Sequence, residues 1–308
     1  MLTGATGFIG QRLQKALLVS DRQVRAVVKP SSSNKDQLLC GVHATLADLS
    51  NTDELASAIA DCAAVIYCAG SVRGRNLEDF QAANITGVRS VVDAMNQVSS
   101  KIPLLLLSSL AASRPRVSDY ANSKFLGERE VIHHARFPWT IFRPPAVYGQ
   151  GEKEMLPLLK LARMGIVIPF GPAQQKLSLI HVDDLVAAML AWFESWSDCR
   201  DQIFSLDDGH SGGYDWREIA ETASGGKYYS FRIPGPLLFA AAKINLLLSG
   251  LFGYAPMLSP GKARELIQPD WLCDNESLTQ ATGWSPVLDL ENGLKKTFGI
   301  HENENQET

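Results

Sequence analysis

Tyr120-Ala121-Asn122-Ser123-Lys124 places a phenol and an ammonium four residues apart, on one face of a helix if this stretch is helical. A cation near a phenol lowers its pKa toward a range where it exchanges a proton with a substrate hydroxyl or carbonyl. Upstream, the apolar run Leu104 to Leu107 ends in Ser108-Ser109, which puts hydroxyls at the C-terminal edge of a strand, where parallel sheets present ligands. At the start of the chain, Thr3-Gly4-Ala5-Thr6-Gly7-Phe8-Ile9-Gly10 carries glycines at every third position directly before a helical pattern. Such glycines allow a tight turn, close backbone approach to a pyrophosphate, and close packing of helix on strand, with the phosphates at the helix N-terminus. A dinucleotide site is expected, with contacts from Gly4, Thr6, Gly7, Phe8, Ile9 and Gly10.

These groups need a scaffold that brings residues 4, 109 and 120 together. The first two thirds of the chain alternate short apolar runs with amphipathic stretches, the pattern of βαβ units feeding a parallel sheet. Strands are expected at Val24 to Val28, Ala64 to Cys68, Pro103 to Leu107 and Thr140 to Phe142. Helical spacing covers Ile9 to Leu18, Asp53 to Ala60, Phe80 to Val98 and Tyr120 to Ala135. The expected fold class is α/β, a doubly wound parallel (Rossmann) sheet over residues 1–149. A smaller substrate-binding lobe over 150–300 returns in part to that sheet, and 301–308 form a polar tail. Only Met1 and Leu2 precede the glycine loop, so the first strand is either very short or begins upstream of Met1.

Composition narrows the function classes. The 308 residues carry a formal charge of −4, with 45% hydrophobic and 20% charged residues, ordinary for a globular protein. Lys and Arg are scattered, so nucleic acid is not an expected partner. Cys40, Cys62, Cys68, Cys199 and Cys273 are odd in number and form no C-x-x-C pair, which argues against a disulfide framework and a zinc site. They read as reduced, mostly buried thiols. The first residues have no basic and apolar leader pattern, and a cytoplasmic location is expected.

Cofactor choice is set at the end of the second strand. Val24 to Ser33 contains no acid, and Lys29 with the following serine hydroxyls suits a 2′-phosphate, so NADP is expected, with NAD the alternative. Lys29 is otherwise a solvated charge. Asp48 is expected at the adenine edge, or as a local cap of the helix that follows it.

In this order the motifs make the sequence similar to the extended short-chain dehydrogenase/reductases, the NAD-dependent epimerase/dehydratase family. They are Thr3 to Gly10, Ser108-Ser109, Tyr120 to Lys124, Arg143-Pro144-Pro145-Ala146-Val147-Tyr148-Gly149 and His181-Val182-Asp183-Asp184-Leu185. The resemblance spans roughly the whole chain to its C-terminal helices. It implies that Tyr120 is the general acid/base, that Lys124 holds the nicotinamide ribose and lowers the Tyr120 pKa, and that Ser109, with Ser108 as fallback, hydrogen-bonds the reacting oxygen. It further implies cofactor contacts from Leu49, Ala69 and Pro145, a structural role for Asn84, and a homodimer through Phe80 to Val98 and Tyr120 to Ala135. His181 is expected to be structural. Two departures stand out: the interval from Ser109 to Tyr120 is short, and Cys68-Ala69-Gly70 replaces a His-x-Ala-Ala type of turn.

Three functions fit these residues: a reductase or dehydrogenase acting on a ketone or secondary alcohol, a nucleotide-sugar epimerase or dehydratase that retains NAD, and a non-catalytic NAD(P)-binding sensor or assembly subunit. Sugar-modifying relatives usually carry an arginine and an acid before the H-V-D-D segment, where this chain reads Gln175-Lys176-Leu177-Ser178. That weakens a diphosphate reading, although Lys176, Arg232 or Arg264 are possible substitutes. The apolar stretch Pro234 to Ala242 and Leu246 to Phe252 resembles that of the family's sterol- and lipid-type dehydrogenases, which favours a hydrophobic small-molecule substrate. Leu237 to Phe252 is shorter than the ~20 residues that span a bilayer. A core helix is the first expectation for it, with a lid or a weak membrane-surface contact as the alternatives. Ser259 to Trp271, with Lys262, Arg264 and Glu265, is dense in potential substrate contacts, a loop packed on the lobe explains it equally well, and spacing alone assigns it no site role.

Overall fold

The computed structural model describes residues 1–31, 37–98 and 101–299. Residues 301–308, expected as a polar tail, lie outside them. Six strands, β1 (Leu2–Thr3), β2 (Val24–Val28), β3 (Val42–Leu46), β4 (Val65–Tyr67), β5 (Leu104–Leu107) and β6 (Trp139–Arg143), join Gln202–Ser205 in one parallel sheet. Its order is Gln202–Ser205, β6, β5, β4, β1, β2, β3. Leu104 to Leu107 are all buried, as expected of a strand covered by helices on both faces. Strand β1 is short, yet it pairs with both β2 and β4 and sits at the sheet's centre.

The crossover helices are α1 (Phe8–Val19), α2 (Thr52–Ile59), α3 (Leu77–Gln81), α4 (Gly87–Val98) and α5 (Asp119–His134). The single helix expected over Phe80 to Val98 is interrupted: Ala82–Thr86 winds as a π turn that joins α3 to α4. Such a turn inserts one residue into the helical ladder and re-aims the side chains around it. Asn84 lies there, buried. It accepts from Ser71 N–H (2.9 Å) and donates to Ser71 O (3.0 Å) and Ser123 Oγ (2.9 Å). This is the structural role the sequence assigned to it, and it fixes α5 against the loop after β4.

Beyond residue 150 come α6 (Leu156–Arg163), α7 (Val182–Glu194), α8 (Trp216–Ser224), α9 (Gly235–Phe252), α10 (Pro260–Leu266), α11 (Glu276–Thr282) and α12 (Leu290–Phe298). Part of this half belongs to the first layer system: Leu185, Met189 and Trp192 of α7 share a core with Leu13 and Leu17 of α1, and Gln202–Ser205 pairs with β6. The rest forms a lobe with its own small cores, one around Tyr148, Leu159 and Leu294 and another around Leu238, Ala242 and Ala263.

Two expectations fail here. All five cysteines are free, but only Cys199 is buried, because Cys40 lies in the turn before β3 and the others sit at element ends. The apolar segment Gly235–Phe252 is a helix that buries only Leu238, Ala242 and Ser249, so it is not a core helix.

Candidate active site

A parallel sheet presents every strand's C-terminal end on one edge, and chain connections diverge between β1 and β4, opening a crevice there. The Thr3 to Gly10 loop lies in it. Gly4 has φ +66°, and a Cβ added to it would fall 2.6 Å from Ala69 N and from the carbonyl carbon of Cys68. A Cβ on Gly10 would fall 2.1 Å from Gly4 O. The loop therefore closes on itself through the Gly7 N–H, which donates to Gly4 O (3.0 Å), and leaves backbone alone facing the crevice.

Helix α1 starts at Phe8 with no side-chain cap and no acid in its first turn, whereas α2 is capped by Asn51, α5 by Ser118 and α8 by Asp215. The first N–H groups of α1 and the positive end of its dipole are left for an external anion. This cradle fits the pyrophosphate of a dinucleotide, which Gly4, Thr6, Gly7, Phe8, Ile9 and Gly10 would hold. The Phe8 ring backs it against Gly149 and Gly151.

Lys29 and Asp48 follow β2 and β3 on the same edge, and face each other at 3.7 Å on the surface. The Asp48 carboxylate also accepts from Ser50 N–H (3.0 Å) and Ser50 Oγ (2.8 Å), bonds that hold its pKa below the usual value. The helix cap is Asn51, not Asp48. Leu49 packs near Gly87, Ala69 N–H donates to Thr3 Oγ1 (3.2 Å), and Pro145 is half-buried after β6. Ser32 and Ser33, the hydroxyls named with Lys29, lie outside the described residues.

The two serines after β5 take opposite directions. Ser108 is buried and donates to Glu128 Oε1 (2.5 Å), a carboxylate that also accepts from Arg143 Nε (2.9 Å). It is locked in an ionic cluster and is not available to a substrate, which rules out the fallback assignment. Ser109 opens the helical turn Leu110–Ser113, where its Oγ accepts from Ala111 N–H (3.2 Å), and it acts on the Tyr120 phenol to lower its pKa. Tyr120 stands on the first turn of α5, its ring 5.9 Å from that of Phe80.

The electrostatics correct one expectation. The Tyr120 pKa is raised: burial outweighs the Ser109 hydrogen bond that lowers it, and Glu265 and Glu154 push it up further. Lys262, on the C-terminal lobe, pulls in the opposite direction and lowers it. Lys124 instead donates to Leu107 O (2.8 Å) and lies beside Gly70 and Cys68, so the four-residue spacing sets the helix face but not where the ammonium reaches. A protonated phenol is the form that delivers a proton to a carbonyl oxygen.

Burial lowers the Lys124 pKa to about 8 against the opposing pull of Glu128 and Cys68. Below that pH both the folded and the unfolded chain are protonated, and the fold carries the full cost of a buried cation. Between pH 8 and the ordinary 10.5 the unfolded chain binds more protons, so this group's cost disappears as pH rises. Lys124→Met is therefore expected to be more favourable to stability, relative to wild type, at pH 7 than at pH 10.5, by roughly 1–2 kcal/mol. Urea unfolding of both proteins at the two pH values measures this; equal differences at both would place Lys124 in water.

A cavity of about 200 Å³ opens at Tyr120, walled by Val72, Phe80, Leu246, Pro256, Met257 and Lys262 among others. Helix α10 closes one side. Its buried Glu265 accepts from Ser118, the cap of α5, and from Lys262 Nζ (3.1 Å), while Arg264 Nε donates to Val117 O (2.7 Å). Arg114 completes the clamp on Asp270, its guanidinium over the Trp271 ring. The short Ser109 to Tyr120 segment is thus held by the C-terminal lobe. Lys262 and Glu265 could be named from the sequence only as part of a segment dense in potential contacts, because no spacing rule relates residues more than a hundred positions away to Tyr120, and Glu154 sits in a polar loop that carries no motif.

His181 is structural as expected. Its Nδ1 accepts from Asp183 N–H (3.2 Å) to cap α7, burial lowers its pKa to about 4, and Nε2 is buried without a partner among the described residues. Gln175 is buried and donates to Leu266 O (2.8 Å) and Gln268 O (2.6 Å). Lys176 is held by Asp215 (3.5 Å) and Glu218 (3.2 Å), and Arg232 lines a different cavity. Of the three cations considered for a diphosphate, only Arg264 borders the Tyr120 cavity.

Comparison with known proteins agrees with this geometry. A family profile described as "NAD dependent epimerase/dehydratase family" matches residues 1–204. The chain is 32% identical to a ceramide reductase of Caulobacter vibrioides, over 88% of this chain and 84% of that protein. It is 26% identical to a UDP-glucose 4-epimerase of Vibrio cholerae (96% and 93%) and 23% identical to a 2-alkyl-3-oxoalkanoate reductase of Stenotrophomonas maltophilia (96% and 97%). Among solved structures, the UDP-glucose 4-epimerase of Thermotoga maritima shares the fold, with a TM-score of 0.72 at 18% identity over 97% of this chain and 96% of that one.

Proposed function

This chain belongs to the NAD-dependent epimerase/dehydratase family of enzymes, and from that premise we propose that it is a reductase of ketones carried on long apolar chains. The observation that carries this reading is the apolar side of the Tyr120 cavity, built by Val72, Phe80, Leu246, Pro256 and Met257 opposite a charged side of Arg75, Asp119, Lys262, Arg264 and Glu265. The similarity to a ceramide reductase and to a 2-alkyl-3-oxoalkanoate reductase supports it.

The bound nicotinamide would supply the hydride. Ser109 and Tyr120 would hold the substrate oxygen between two hydroxyls, and the raised pKa keeps the Tyr120 proton in place until the oxygen gains negative charge. Lys124, with its pKa near 8, stands within the same helix face to hold the ribose. Incubation of the purified protein with reduced nicotinamide and a panel of long-chain ketones tests the proposal. Consumption of the reduced cofactor with those ketones is the expected result. Conversion of UDP-glucose with no net cofactor consumption would instead establish the epimerase reading, which the Vibrio cholerae relative keeps in play.

For the cofactor we propose NADP(H), on the ground that Lys29 is the charged residue closing β2. Asp48 opposes it at 3.7 Å and tempers the preference. Lys29→Ala is expected to weaken NADPH binding about tenfold and leave NADH binding unchanged, as one charge-assisted contact to a phosphate is worth about that much. Equal loss for both nucleotides, measured by fluorescence titration, would remove Lys29 from the 2′-phosphate.

A further inference from the structure

Helix α9 is amphipathic in the reverse sense. Its buried face holds Leu238, Ala242 and Ser249, with Asn245 Nδ2 donating to Leu258 O (2.8 Å). The face turned to solvent carries Leu237, Ile244, Leu247 and Leu251 at three- and four-residue spacing, and Phe252 at its end. Leu247, Leu251 and Phe252 are 70%, 79% and 75% exposed, a contiguous apolar stripe that a solvated helix does not sustain without an occupant. Tyr229 and Phe231, a few residues before α9 in the chain, are exposed aromatics as well.

Charge identifies the occupant. The whole chain is net negative, but between Glu221 and Glu265 every charged residue is basic: Lys227, Arg232, Lys243 and Arg264, together with Lys262, which is paired with Glu265 at the Tyr120 cavity. An exposed apolar stripe inside a basic segment with exposed aromatics matches an anionic lipid surface. We propose that α9 lies in the headgroup region of an anionic bilayer and docks the enzyme there. By length and its mean hydropathy of 1.5 the helix is long and apolar enough to cross a membrane. Leu238 and Ala242, however, pack against Ala263 with Phe170, Leu258 and Ile267 around them, tying one face to the lobe, so the helix lies flat. Leu246 of the same helix and Met257 just beyond it line the Tyr120 cavity, so the docked face adjoins the site. The use of that route by a lipid ketone rests on the proposed function; the docking does not.

Sedimentation of the full chain with phosphatidylcholine vesicles, with and without phosphatidylglycerol, tests the docking. Wild type is expected to pellet with the anionic vesicles, and less so as salt rises. The double variant L247E/L251E is expected to partition at least ~10-fold less while binding nicotinamide cofactor as wild type does. Lys243→Glu, an exposed change, is expected to weaken binding to the anionic vesicles and serves as the test should the double variant fail to fold. Wild type that stays in the supernatant, or variants that pellet like wild type, would overturn the proposal. So would a wild type that forms a dimer without vesicle binding and becomes monomeric in L247E/L251E, a result that would make α9 an interface between two copies.

Discussion

Replacing Tyr120 with Phe is expected to lower kcat by about 10³-fold, the usual contribution of a positioned general acid, while the dissociation constant for the cofactor changes by less than about threefold. The asymmetry follows from geometry. The phenol lies in the cavity, its pKa set by burial, Ser109, Lys262, Glu265 and Glu154, whereas the glycine loop and the uncapped end of α1 occupy the crevice between β1 and β4. Removing one oxygen leaves the ring against Phe80, so the wall of the cavity persists. Steady-state rates with a turned-over ketone, paired with equilibrium titration of the cofactor, separate the two effects. A variant that keeps its rate with fold and cofactor affinity intact would take Tyr120 out of the chemistry.

Gly10→Ala is the second large effect, and its signature is the reverse. The new methyl would fall 2.1 Å from Gly4 O and 2.8 Å from the Ala5 backbone, atoms with no rotamer to yield. The loop must move away from α1, which costs roughly 1–3 kcal/mol of stability as over-packing does. It also withdraws the Gly4 to Gly7 backbone from where phosphates would sit. Cofactor affinity is expected to fall at least ~100-fold, because N–H groups contacting an anion act together and shift together. Thermal unfolding together with cofactor titration reads both. A variant that melts a few degrees lower but binds the nucleotide as wild type does would mean that the cradle is not the pyrophosphate site.

Much of the fold was legible because it rests on local patterns. The fully buried run Leu104–Leu107 reads as a strand whatever surrounds it. The π turn at Ala82–Thr86 was not legible, since nothing in Ala82-Ala83-Asn84-Ile85-Thr86 departs from ordinary helix composition. Within it Asn84 meets partners on both Ser71 and Ser123, contacts that only the folded chain brings together. The exposure of α9 was hidden for the same reason. An apolar helix reads as core in one dimension, and only the placement of the lobe decides which side is left uncovered.

The division between the two sources of information is physical. By itself the sequence determined the glycine cradle, the parallel sheet that opens it, and the presence of Ser109, Tyr120 and Lys124, because each depends on backbone freedom, periodicity or residue type. Tertiary structure supplied the contrast between the two serines, since Ser108 donates to Glu128, which is itself bound by Arg143, while Ser109 acts on the phenol. It also decided the direction in which the pKa of that phenol moves. The Tyr120 pKa depends on burial and on Lys262, Glu265 and Glu154, groups brought to it from another lobe, and electrostatic coupling follows distance in space rather than along the chain.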